Sequence, residues 1–118
     1  MIKNYENLIV WQKAVELAVE IYSLTELFPK SEIYGVTSQM RRSAVSIASN
    51  IAEGSRRSSK KDFRNFLFNA FGSGAELETQ IIITKQLSFA KEEFYDKSDS
   101  LLQEIMKMLN KLIKGMAA

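Results

Sequence analysis

A single proline, Pro29, interrupts 118 residues, and only five glycines accompany it. Proline and glycine are the residues that most disfavour a helix interior, so a chain this poor in them can run in long helices. The apolar residues fit that freedom. They recur at steps of three and four, the spacing that places side chains on one face of an α-helix. No alternating strand pattern, internal repeat or low-complexity tract interrupts them. The expected fold is all-α: an antiparallel up-down-up-down four-helix bundle in one domain over residues 1–118.

The first helix is expected over residues 8–28. Leu8, Trp11, Val15, Ala18, Ile21, Tyr22 and Phe28 supply its apolar positions, Asn7 its cap and Pro29 its stop. Ser31 caps a second helix over 32–55, with a seam of Ile33, Val36, Met40, Ala44, Ile47 and Ile51. A turn at 54–59 leads to a third helix over 60–87. Ser58 or Ser59 serves as its cap, aided by Asp62. Its seam is Phe63, Phe66, Leu67, Ala70, Gly74, Leu77 and Ile81. Gly72 and Gly74 sit mid-helix, where each costs about 1 kcal/mol against alanine, so a close neighbour is expected at both. The fourth helix, over 91–114, carries Phe94, Leu101, Leu102, Ile105, Met108, Leu109 and Leu112. Val10, Val45, Phe68, Phe71 and Ile83 fall outside these seams. Self-association would bury them.

The chain holds no cysteine and no histidine. Thiolate chemistry and disulfides are thereby excluded, along with the commonest general base and metal ligand. No enzyme activity, cofactor, metal or small-molecule substrate is expected. The N-terminal residues lack the pattern of a signal peptide, and no segment approaches the roughly 18 to 20 apolar residues of a membrane span. A cytoplasmic location without membrane contact is the expectation.

The net charge is +2 and unevenly placed. Residues 30–64 carry eight basic and three acidic side chains, while the flanking segments are slightly acidic. Arg41 and Arg42 lie on the second helix. Arg56, Arg57, Lys60, Lys61 and Arg64 cluster at the turn into the third. Such a cluster suits phosphates, and a helix N-terminus within it adds affinity for anions. No aromatic residues are evidently interleaved, so phosphate contact is expected over base reading. The competing reading is a solvated turn with local ion pairs. Beside the apolar seam, Gln39, Arg42, Ser46, Asn50, Glu53 and Arg57 form a polar stripe. Glu76 and Glu78 on the third helix could face it, with Glu78 half-buried against Arg41 or Arg42. Gln39, Asn50, Glu53, Glu76 and Glu78 then form a structural network that fixes helix register. The small-residue run at 43–52 offers a close-packing face to a helix or to a neighbouring subunit.

Several segments together resemble the family called four-helix bundle protein, or 23S rRNA intervening-sequence protein. They are Leu8-Ile9-Val10-Trp11-Gln12-Lys13-Ala14, Phe28-Pro29, Glu32, Tyr34-Gly35 and Gln39 through Ile47. Ser49-Asn50-Ile51-Ala52-Glu53-Gly54 with Arg57 is the most distinctive, and Phe63, Phe66-Leu67, Gly72-Ser73 and Glu76 through Gln80 complete the pattern. Ala48 stands where proline is expected, and Val36 and Met40 where leucine is usual. The resemblance implies a protein encoded within, or related to those encoded within, insertions in bacterial large-subunit rRNA genes. It implies an antiparallel bundle assembled as a five-membered ring, and no catalytic residues. It also implies kinship with the accessory protein of diversity-generating retroelements, which partners a reverse transcriptase and binds nucleic acid through a basic surface. The expected function is an oligomeric binding protein for RNA, or else DNA, with Arg41, Arg42, Arg56, Arg57, Lys60, Lys61 and Arg64 on phosphates. The alternative is an adaptor for a protein partner, its arginines consumed by internal carboxylates.

Overall fold

A computed structural model describes residues 4–116. Four α-helices follow in order: α1 (Ile9–Thr25), α2 (Val36–Ser55), α3 (Lys60–Gln86) and α4 (Asp96–Gly115), with short 3-10 turns before α1, α2 and α4. No strand occurs among the described residues. Cross-helix contacts fix the directions. Ser43 reaches Glu76 while Ser46 reaches Ser73, so α2 and α3 run antiparallel. Arg64 reaches Ile113 while Lys85 reaches Asp99, so α3 and α4 do too. Lys13–Glu104 and Lys97–Glu16 align α1 against α4, and Arg41–Glu26 joins the end of α1 to the start of α2. The result is the expected four-helix bundle, 44 Å long and about half as wide.

The core runs along the bundle axis. Ala14, Leu17, Ile21, Met40, Ala44, Ile47, Ile51, Leu67, Ala70, Leu77, Ile105 and Leu109 are sealed from solvent. The seams expected for α2, α3 and α4 hold at their centres and loosen at their ends: Ile33 and Phe94 are exposed and Val36, Phe66, Met108 and Leu112 only partly buried. For α1 the expected seam holds at Ile21 and Phe28, both buried, and is otherwise displaced. Val10, Ala14, Leu17, Ile21 and Leu24 face the core, whereas Trp11 and Ala18 are half-buried and Val15 and Tyr22 exposed. Both sets follow the same three-and-four spacing, one residue apart, so each is a legitimate helical stripe. Periodicity alone cannot choose between two such stripes on a helix apolar on both.

The helix ends differ from expectation for local reasons. Before Pro29, α1 closes early, through i→i−3 bonds from Leu27 and Phe28. The Ser31 region forms a 3-10 turn instead of a cap, and α2 begins after Gly35. Leu8, not Asn7, precedes α1, and Asn4 caps the short turn ahead of it. Glu92–Tyr95 form another 3-10 turn before α4. At α3 the cap is as read: Ser59 Oγ accepts from the Asp62 amide at 3.1 Å.

Two glycines permit close approach. A Cβ at Gly54 would lie 2.6 Å from Phe66 Cβ, so the last turn of α2 can touch α3 only without a side chain there. At Gly74 a Cβ would run into the Met106 thioether and lie 3.7 Å from Leu102. Gly72, by contrast, has nothing within 4 Å, so the close neighbour expected there is absent within the protomer.

At the far end of the bundle, Tyr95 is fully buried and donates to Thr84 Oγ1 at 3.0 Å. Its ring packs near Phe28, and Lys85 Nζ lies 5.4 Å from its centre. Lys85 also donates to Asp99 at 2.6 Å. That hydrogen bond holds the Lys85 ammonium above its ordinary range, and burial pushes the Tyr95 phenol upward. Both folded groups keep protons that the unfolded chain gives up from about pH 10. Stability is therefore full below that pH and falls as pH rises through the folded-state values. Urea unfolding from pH 8 to 11 should show the decline. Tyr95→Phe should cost about 1 kcal/mol at neutral pH and flatten the alkaline fall; parallel curves for the two proteins would contradict this account.

Candidate nucleic-acid interface

Antiparallel packing gathers the C-terminus of α2, the N-terminus of α3 and the C-terminus of α4 at one end of the bundle. The connection between α2 and α3 spans only Arg56–Ser59. Between Gly54 and Arg64 the chain holds five cations and one carboxylate, Asp62. Arg56, Arg57, Lys60 and Lys61 are exposed. Arg64 is partly buried, because its Nε donates to the Ile113 carbonyl at 3.1 Å and so satisfies an open end of α4. That bond ties the last turn of α4 to the second turn of α3.

Three of these arginines rest on aromatic rings. The Arg56 guanidinium lies 5.3 Å from the centre of Tyr5, Arg57 lies 4.7 Å from Phe66, and Arg64 lies 5.0 Å from Phe68. Such contacts are attractive and restrict the guanidinium. Tyr5 is itself set edge-on against Trp11 at 5.2 Å. The expectation that no aromatics interleave the cluster is thus corrected. Tyr5 comes from the turn before α1 and Phe68 from the third turn of α3, so linear proximity to the cations could not reveal them all. Among the described residues, one ion pair exists within the cluster, Arg57–Glu53 at 3.0 Å, between half-exposed side chains one turn apart. Such pairs contribute little and leave the arginine accessible.

Arg41 and Arg42 belong elsewhere. They lie about 15 residues, roughly 20 Å, up α2 from the cluster. Arg41 is anchored: its Nε donates to Thr25 Oγ1 at 2.9 Å, a terminal nitrogen donates to Glu26 at 3.1 Å, and its guanidinium sits 4.6 Å from the Tyr22 ring centre. Its side chain is 18% exposed. It binds α2 to the end of α1. Arg42 is exposed and makes no ion pair among the described residues.

The polar stripe resolves into separate links. Ser43 donates to Glu76 at 2.8 Å. Asn50 donates to the Ser46 carbonyl and hydroxyl, and Ser46 meets Ser73 at 2.9 Å. Glu53 holds only Arg57. Among the described residues, Gln39 makes no side-chain hydrogen bond, and Glu78 is exposed without an ion pair. The expected pairing of Glu78 with Arg41 or Arg42 fails because Arg41 turns toward α1, away from α3. Among the described residues, no group of three or more potential ligand side chains is placed to hold a metal ion.

A second surface lies between α1 and α2. The displaced α1 stripe forms one wall of an open groove of about 540 Å³. Trp11, Val15, Ala18, Val19 and Tyr22 face Val45, Ala48 and Ala52 across it, and Val19 is 64% exposed. The short side chains of Ala48 and Ala52 leave room for it.

The family model for 23S rRNA-intervening sequence proteins matches residues 6–111. The chain belongs to this family. A protein of unknown function from the S23 ribosomal protein family of Bacteroides thetaiotaomicron has a similar crystal structure. The TM-score is 0.81 at 28% identity, over 90% of this chain and 99% of that one. No curated protein matches the sequence. No helix of this family member is long and apolar enough among the described residues to cross a membrane.

The two arginine environments separate by stability. Arg41→Ala should destabilise the bundle by about 1–3 kcal/mol, because two hydrogen bonds and a ring contact vanish from a partly buried site. Arg42→Ala should stay within about 0.5 kcal/mol of the parent. Urea midpoints for the two variants check this, and equal effects would contradict the assigned roles.

Proposed function

We propose that this protein is a non-enzymatic RNA-binding subunit of a homo-oligomer that grips phosphates with the basic end of its bundle. The carrying observation is the charge of that end: five cations against one carboxylate between Gly54 and Arg64. The α3 N-terminus adds its own attraction for anions. Arg41 is committed to α1 and supplies no phosphate contact in this reading, and Arg42 contributes at most from a distance. RNA is favoured over DNA by the family's tie to rRNA.

Affinity should therefore be salt-dependent. With about five phosphate contacts, binding to RNA should weaken roughly a hundredfold between about 50 and 200 mM salt. Arg56→Glu with Arg57→Glu should abolish it. Fluorescence anisotropy with labelled RNA reads both effects. Undetectable binding at low salt would overturn the reading.

Self-association rests on the groove between α1 and α2. Its apolar walls are open to solvent in a single bundle, and contiguous apolar surface of this kind suits a protein contact. Light scattering at micromolar concentration should return a multiple of the 13.4 kDa protomer. Val19→Lys should lower that mass without unfolding the helices. A parent protein already at protomer mass would refute association.

A further inference from the structure

The geometry points to unpaired RNA, not duplex, as the ligand of the basic end, with bases stacking on the guanidinium groups of Arg56 and Arg57 and on the ring of Phe68. This inference rests on the phosphate-binding reading and names the strand state that the site takes.

Phosphate attraction alone does not distinguish a single strand from a duplex. Flat surfaces do, because only unpaired bases expose both faces. The basic end presents such surfaces among its charges. The Arg56 and Arg57 side chains are exposed, yet each guanidinium lies against a ring, Tyr5 or Phe66. A ring beneath a guanidinium limits its motion and leaves its opposite side to solvent. That preparation lowers the entropy cost of stacking a base on it. Phe68 is 48% exposed and has Arg64 at 5.0 Å from its ring centre, so a ring and a cation stand side by side. Phe68 stands between the core residues Leu67 and Ala70 yet points outward, so it adds nothing to the core within the protomer. Lys60 and Lys61 supply exposed cations on the first turn of the same helix. Alternation of rings, guanidinium groups and lysines is the composition by which proteins hold single strands without reading sequence.

The test compares three labelled ligands of about 12 residues with equal phosphate number per strand. They are single-stranded RNA of mixed sequence, the matching RNA duplex, and an abasic strand. Anisotropy titrations use the full-length protein at one low salt concentration. The single strand should bind at least about tenfold tighter than the duplex or the abasic strand. A variant carrying Arg56→Lys, Arg57→Lys and Phe68→Leu keeps every charge and loses the flat surfaces. It should bind all three ligands within about threefold of one another, with the parent's affinity for the abasic strand and the parent's helical circular dichroism. If the parent binds the three ligands equally and with steep salt dependence, phosphate gripping stands and stacking is overturned. If it binds none, the inference falls together with the reading beneath it.

Discussion

The architecture depends on the close contact between the last turn of α2 and the first turns of α3. Gly54 makes it possible, because any side chain there would collide with Phe66 and Phe63. With the helices that close, four residues suffice to join them, and the register continues through Ser46–Ser73 and Ser43–Glu76. The same closeness compresses five cations into a short stretch of surface. Charges so crowded repel one another in the folded state. The aromatic rings under Arg56, Arg57 and Arg64 offset part of that repulsion, as do Glu53 and the Ile113 carbonyl.

The two ends of the bundle are therefore built on different chemistry. At one end, Arg41, Glu26, Lys85 and Asp99 are neutralised in pairs, and Tyr95 and Thr84 are satisfied in the interior. These contacts lock α1 to α2 and α3 to α4. At the other end, cations rest on rings, which hold their orientation without cancelling their charge. An arginine on a ring remains a net positive charge at the surface, while an arginine on a carboxylate does not. Arg41 is largely buried between Thr25, Glu26 and the Tyr22 ring, whereas Arg56 rests on Tyr5 and Arg57, set on Phe66 with Glu53 beside it, stays open to solvent, although the three look alike in the sequence.

Much of the fold was legible because α2, α3 and α4 each carry one dominant apolar stripe. Met40, Ala44, Ile47 and Ile51 lie where the spacing put them, as do Leu67, Ala70, Gly74, Leu77 and Ile81. The α1 seam was legible only at Ile21 and Phe28, which are buried as expected. Val10-Ala14-Leu17-Ile21-Leu24 and Trp11-Val15-Ala18-Tyr22 have equal period, and only the packing of the other helices selects the first. Helix starts at residues 32 and 91 were lost to 3-10 turns, whose local bonds leave little trace in apolar spacing. For the basic end, the turn cluster was readable as a run of charge. The roles of its members were not. Tyr5 reaches it only through tertiary structure, and Arg41 is held away from it through a contact 16 residues back along the chain.

The central claim is that one end of the bundle, and not its length or its α1–α2 groove, receives nucleic acid. Backbone amide shifts of the isotope-labelled protein, followed during titration with single-stranded RNA at low salt, test it most directly. The account predicts perturbations at residues 54–68, the turn around Tyr5 and the last turn of α4, with Thr25, Arg41 and Asp99 unmoved. Shifts centred on Arg41 and Arg42, or along the groove walls at Val15, Val19 and Val45, would contradict it.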